Sequence, residues 1–306
     1  MIYIIHSNYF LIDDLKNNIK NNINNEKVVF IEVNLKNANF YEKILRRYPC
    51  TSSDKYLNLE FLEKINLKNE DILIFFDCFK SPYFNLIKKY KNNRKILWIW
   101  NKVREDEKKY IQLLKNEKVE LWTFDREDSI KLKLNFTSQF FWRKIKEKFE
   151  EKKGIFFIGL DKGRYNQIER LGRIYQGKKD FVILRDKTSK KNEKKYYQNK
   201  LLNYGETLKK IEDSLCLLEI TLEKQSGITL RALEALFFKK KLITNNKDIK
   251  NYNFYHPNNI FILEENYTNE EINEFLKKEY FNISIDIIKN YTFENWLNKI
   301  TNKTNI

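Results

Sequence analysis

Short runs of consecutive apolar residues recur along the chain, and each is followed by polar, helix-compatible sequence. IYIIH at 2–6, KVVFIEV at 27–33, ILIFF at 72–76, KILWIW at 95–100 and VELWTF at 119–124 form a first series. These runs are too short for helices and rich in β-branched and aromatic residues, so they predict strands apolar on both faces. Such strands belong to a parallel sheet covered on both sides by helices. Stretches such as residues 81–93 and 104–118 supply those helices. After the highly charged stretch at 143–153 the pattern restarts, with IFFIG at 155–159, DFVIL at 180–184, SLCLLEI at 214–220, KKLIT at 240–244 and NIFIL at 259–263. Helices are predicted over 163–176 and 228–238, and a final amphipathic helix over 292–300, opened by Thr292 with Glu294 in its first turn. The expected fold class is α/β: two Rossmann-like domains, 1–150 and 151–306, with parallel sheets facing a central cleft and the last helix packing back on the first domain. No internal repeat at a solenoid period is present.

Composition changes this picture little. With 306 residues, 42% hydrophobic and 15% aromatic, the chain has material for two cores, and 7 Gly with 3 Pro leave little room for flexible linkers. The formal charge of +16 attracts phosphate-bearing partners, although Lys and Asn are abundant at plain surface positions as well. Cys50, Cys78 and Cys216 form no C-x-x-C pair and are odd in number, which argues against a disulfide framework or zinc site and fits a reducing cytoplasm. The start MIYIIHSNYF reads as a first strand rather than a signal peptide, and no apolar run approaches the roughly 20 residues of a membrane span.

In open parallel sheets ligands collect outside the carboxyl ends of the strands, so the residues that follow each strand are the candidates. After SLCLLEI comes a polar turn, Glu223-Lys224-Gln225-Ser226-Gly227, which leads into a helix starting near Ile228. Gly227 lets backbone approach a ligand, the helix N-terminus suits a diphosphate, and Ser226 and Thr229 add hydroxyls. The same turn also reads as an ordinary strand–turn–helix with a capping Ser. Arg231 and Glu234, three apart on that helix, can pair with each other. A second turn, Gly159-Leu160-Asp161-Lys162-Gly163-Arg164, offers Lys162 and Arg164 to phosphates, or is a solvated basic turn. In the first domain His6, Asp77, Asn101, Asp125 and Asp128 fall at or just after strand ends. Asn101 and Asp125 are also suited to capping the helices that follow. His256 is too far from His6 for a metal site by spacing, and no D-x-D pair is present.

Gln225-Ser226-Gly227-Ile228-Thr229-Leu230-Arg231, with Glu234-Ala235-Leu236 and Lys240-Lys241-Leu242-Ile243-Thr244, resembles the signature of bacterial glycosyltransferases of the lipopolysaccharide core biosynthesis RfaS type. Asp248-Ile249, Tyr252, Phe254-Tyr255 and Pro257-Asn258-Asn259-Ile260 extend the resemblance downstream. Trp98-Ile99-Trp100-Asn101, Trp122-Thr123-Phe124-Asp125 and Phe157-Ile158-Gly159 extend it upstream, so that it covers most of the chain from about residue 71. It implies a GT-B fold and transfer of a sugar from a nucleotide-sugar donor during cell-surface glycan assembly. Gly159, Lys162, Gly163, Arg164, Gln225, Ser226, Gly227, Thr229, Arg231 and Glu234 would then form the donor side, with Glu234 near the donor ribose. Asn101 and Asp125 would line the acceptor side, and Asp77 or His6 would act as the base that takes the acceptor's proton. The retaining pattern of two Glu seven residues apart would place a Glu where Ser226 stands, which leaves the stereochemical outcome open. No cofactor or metal is expected.

The implied partners are a nucleotide-sugar donor, a glycan or lipid-linked acceptor and an anionic membrane surface, with the protein in the cytoplasm or peripheral at the membrane's inner face. The segment FTSQFFWRKIKEKF at 136–149, read as aromatics joined to a basic helix, would touch that surface or pack at the domain junction. Two alternatives remain: a basic nucleic-acid-binding protein, against which stands the absence of RRM, KH or zinc signatures, and a degenerate GT-B-like protein that binds without turnover.

Overall fold

The computed structural model describes residues 1–7, 10–22, 28–34, 57–79, 83–150, 152–186, 189, 195–199, 202–222 and 225–302. Cys50, Glu223 and Lys224 lie outside them. The chain divides into two compact units, Met1–Ser138 with Leu297–Ile306, and Gln139–Trp296. Among the described residues each unit holds one six-stranded sheet in which every paired strand runs parallel to its neighbour.

The first unit contains β1 (Ile2–His6), β2 (Val28–Glu32), β3 (Ile72–Phe76), β4 (Arg94–Ile99), β5 (Glu120–Thr123) and β6 (Asn135–Phe136), in the order β2-β1-β3-β4-β5-β6. Its strands are buried on both faces. Tyr3, Ile5, Leu73, Phe75, Leu97 and Ile99 enter one core, while Ile4, Ile74, Phe76, Ile96 and Trp98 are buried on the alternate positions. Each such Ile, Leu or Phe contributes about 1.5–3 kcal/mol by leaving water. Trp98 and Trp100 share a face as expected from their spacing, and Trp100 packs on Phe76 at 4.9 Å between ring centroids. The carboxyl end of the last helix is held in this unit: Arg94 donates to the carbonyls of Ile300 (3.1 Å) and Thr301 while its Nε meets Glu120 at 2.7 Å. A guanidinium is well suited to the unpaired carbonyls at a helix C-terminus.

The second unit contains β7 (Ile155–Leu160), β8 (Lys179–Leu184), β9 (Tyr197–Gln198), β10 (Cys216–Glu219), β11 (Lys241–Thr244) and β12 (Ile260–Ile262), ordered β12-β11-β10-β7-β8-β9. The two-residue strands β6 and β9 were not predicted, because a pair of residues has no period. Nor does residue 143–150 form a helix. Backbone in and just before this stretch is committed elsewhere: Lys146 N–H donates to the Phe237 carbonyl (2.8 Å), and ahead of it Phe141 N–H donates to the Tyr291 carbonyl (2.8 Å) while Phe293 N–H donates to the Phe141 carbonyl (3.0 Å). Phe140, Phe141 and Trp142 are buried, with Phe140 4.3 Å from the Trp296 ring, so these aromatics fill the interior instead of facing a membrane. Among the described residues no helix is long and apolar enough to cross a membrane.

Candidate functional site

In each sheet the first strand is flanked by strands reached in opposite directions, and this reversal opens a crevice at the carboxyl edge. In the second unit the reversal lies between β7 and β10, and the structure brings the residues that follow both strands together there. Arg164 links them. Its Nη1 donates to the Ile220 carbonyl (2.7 Å), its Nε to the Asp161 carbonyl (3.2 Å) and its Nη2 to the Leu160 carbonyl. Three of the five guanidinium N–H groups are thereby used, and Asp161, Asp186 and Glu219 lie near enough to act on its charge. Gly159 makes this possible, since a Cβ there would stand 3.0 Å from Arg164 Nη2. Lys162 (φ 44°) and Gly163 (φ 80°) turn the chain through the left-handed region, with Lys162 N–H held by Asp186 at 2.8 Å. Buried Asp161 accepts from Tyr165 N–H (3.0 Å) at the start of the helix Tyr165–Ile174 and from the Tyr197 hydroxyl.

Across the crevice the helix Leu230–Phe237 starts two residues later than predicted, and Thr229 rather than Ser226 caps it, accepting from Arg231 N–H at 3.0 Å. The Thr229 hydroxyl donates in turn to Glu219, and the Thr244 hydroxyl donates to the other Glu219 oxygen. Burial pushes the Glu219 carboxyl upward, against the pull of these hydroxyls and Arg231. Gln225 turns back through its N–H to the Leu222 carbonyl (3.2 Å), half-buried Ser226 follows, and the Gly227 carbonyl accepts from Asn246 Nδ2 (3.4 Å). Asn245 ties the exits of β10 and β11 together by accepting from Thr221 N–H at 2.7 Å. Glu234, only 1% exposed, meets Arg231 at 2.6 Å and accepts from the Tyr204 hydroxyl at 2.9 Å. Burial raises the Glu234 carboxyl, and Arg231 pulls it back down.

Sequence reasoning missed Glu219, Tyr204, Asn245 and Asn246. Glu219 carried a signal: it is the one charged residue within the apolar run SLCLLEI.

In the first unit the reversal lies between β1 and β3, where His6 pairs in register with Phe76, the residue before Asp77. His6 and Asp77 therefore stand at adjacent strand tips. Asp77 adopts φ 54°, a left-handed backbone that few residues other than glycine tolerate. Its carboxylate accepts from Trp100 N–H (3.1 Å) and Asn101 Nδ2 (2.9 Å), which also fixes Asn101. His6 is 2% exposed, with Nδ1 2.9 Å from the Ser7 carbonyl, so that nitrogen carries the proton and Nε2 keeps a lone pair. Among the described residues Nε2 has no hydrogen-bond partner. Asp125 is fully buried, caps the helix Arg126–Leu132 through Asp128 N–H (3.0 Å) and lies 3.7 Å from Lys102. Asp128 accepts from Val103 N–H at 2.8 Å. Among the described residues no group of three or more His, Cys, Asp and Glu is placed to hold a metal ion.

Burial, opposed by the Ser7 hydrogen bond and Glu32, lowers the His6 pKa below its ordinary 6.5. The unfolded chain therefore binds the proton more readily, so the stability that neutral His6 gives is present above pH 6.5 and is lost as pH falls through the folded value. A His6→Gln variant should lose less stability than wild type between pH 7 and 5, by up to about 1.4 kcal/mol for each pH unit of the shift. Parallel melting curves would detect a difference in either direction.

No protein-family model matches the chain, and no curated protein matches it in sequence. Among solved structures, an alpha-glucosyltransferase in complex with UDP-glucose and DNA containing an abasic site matches over 98% of this chain and 99% of its own, with a TM-score of 0.59 and 14% identity. The T4 phage BGT in complex with its UDP-glucose substrate matches over 98% and 96%, with a TM-score of 0.45 and 12% identity. The likeness to the first, together with the two parallel six-stranded sheets, makes the fold GT-B.

Proposed function

We propose that the protein is a glycosyltransferase that takes a nucleoside-diphosphate sugar on its second unit. The observation that carries this reading is the Arg164 clamp. A guanidinium anchored on three carbonyls at the reversal point of the sheet offers its charge to a diphosphate, beside Lys162 and the Thr229-capped helix start. In transfer, an acceptor oxygen bonds to the anomeric carbon, the bond from that carbon to the diphosphate breaks, and the charge left on the diphosphate falls to Arg164 and Lys162. Asp77, on the first unit, takes the acceptor's proton, with His6 beside it at the next strand tip. Gln225, Ser226 and Gly227 approach the donor through their backbone.

The resemblance set out above supports a cell-surface glycan as acceptor. A nucleic-acid acceptor is a second reading, favoured by the +16 charge and by the DNA bound in the structural neighbour's complex. Calorimetric titration with UDP-, GDP- and dTDP-sugars tests the donor assignment. One of them should bind wild type, and Arg164→Ala should bind it at least about 30-fold more weakly, the worth of one charge-assisted hydrogen bond near 2 kcal/mol. If none binds, or if the variant stays folded and binds as wild type does, the reading is wrong.

A further inference from the structure

The opposite edge of the second sheet carries a feature that sugar transfer does not use. The amino ends of β7, β8 and β10, preceded by Gly154, Lys178 and Leu215, open on a cavity of about 550 Å³. This is a volume suited to a ligand of nucleotide size. The length of β7, six residues, separates it from the Arg164 crevice by about 20 Å.

The lining joins two kinds of group. Phe149 and Tyr280 stack face to face, with centroids 4.9 Å apart and planes 12° apart. Around them stand Lys153, Lys178, Lys277 and Lys278, all exposed, and Glu279 is the one acid among the described lining residues. Lys152, also in the lining, is paired with Glu150 at 3.7 Å. Among the described residues the four exposed lysines have no ion-pair partner, unlike Lys64, Lys88, Lys102, Lys131 and Lys210, which each meet a carboxylate. Four like charges gathered around one cavity repel each other until an anion enters. Ammonium groups bind phosphate as point charges, without the planar fit an arginine demands. Half-buried Phe149, backed by the buried Tyr280 ring, is the aromatic that can offer its outer face to a base.

We infer that this cavity is a second ligand site, for a nucleoside phosphate, either free or as one unit of a nucleic-acid strand. The inference does not depend on sugar transfer. It is tested with wild type and a Lys153→Ala/Lys178→Ala/Lys277→Ala/Lys278→Ala variant, altered at exposed positions and checked for an unchanged melting temperature. UDP is titrated by calorimetry, and a short fluorescein-labelled oligothymidylate by anisotropy over a salt series.

If a strand occupies the cavity, the variant binds the oligonucleotide at least tenfold more weakly, with a log–log salt slope shallower by about 3, at roughly 0.7 for each of four phosphate contacts. If a free nucleotide occupies it, the variant binds one UDP fewer per chain than wild type. Absence of binding to wild type in both arms overturns the inference. So does equal binding by wild type and variant in both, or binding of polyglutamate as tight as that of the oligonucleotide. Failure of the donor assignment looks different: Arg164→Ala would then bind every nucleotide-sugar that wild type binds, with unchanged affinity.

Discussion

Asp77→Asn should lower turnover by about a hundredfold or more, the usual worth of a general base, while leaving donor affinity and melting temperature nearly unchanged. The asymmetry follows from the backbone. Asp77 holds φ 54°, and Asn is among the few residues that accept this conformation with little extra strain. Asn also keeps one carbonyl oxygen for Trp100 N–H or Asn101, both now held by the carboxylate. What it loses is the charge and the proton affinity. Asp77→Gly serves as the control, since it relieves the left-handed strain and removes both the base and the clamp. Turnover is read as release of nucleoside diphosphate from whichever donor the titration identifies. If both variants stay within about threefold of wild type, Asp77 only holds Trp100 and Asn101 in place, and His6, with its Nε2 lone pair, becomes the base to test. The left-handed backbone distinguishes Asp77 from His6 at the neighbouring strand tip, because strain of this kind persists where the surroundings impose it.

The sheets were legible because their strands are buried on both faces, which turns each into an apolar run that periodicity cannot hide. ILIFF and IFFIG were placed within a residue for that reason. The stretch after Ser138 was misread for the complementary reason. Its charges at helical spacing describe a solvated helix, but its backbone groups are taken by Tyr291, Phe293 and Phe237, far along the chain.

The candidate site divides in the same way. Lys162, Gly163 and Arg164 could be read as a strand exit from local sequence alone. That Arg164 reaches the Ile220 carbonyl could not, because the contact exists only once β10 returns to lie beside β7, 56 residues on. Glu219 was overlooked because a carboxylate inside an apolar run looks like an interruption until Thr229 and Thr244 are folded against it.

Glu234→Ala should cost about 3–5 kcal/mol of stability, the range for breaking a buried ion pair from one side, and lower the melting temperature by on the order of 10 °C. The substitution strands two groups: the Arg231 guanidinium, whose Nη1 lies 2.6 Å from Glu234, and the Tyr204 hydroxyl, which donates to it at 2.9 Å. Arg231 keeps a 3.5 Å contact to the Ile158 carbonyl, the face of Phe156 at 5.8 Å and the attraction of the Glu219 carboxyl, but no second ion pair within contact distance among the described residues. Replacing both partners by apolar residues, as in Arg231→Met/Glu234→Leu, should recover most of the loss, because it removes the uncompensated charge and keeps the volume.

That double variant also separates two roles for Glu234. The resemblance assigns it to the donor ribose, whereas the structure occupies its carboxylate with Arg231 and Tyr204. If the refolded double variant binds the donor as wild type does, Glu234 acts by holding the helix whose first turn faces the crevice. If it folds and fails to bind, Glu234 or Arg231 touches the donor directly. A single Glu234→Ala measurement cannot distinguish these, since a loosened helix and a lost ribose contact both weaken binding.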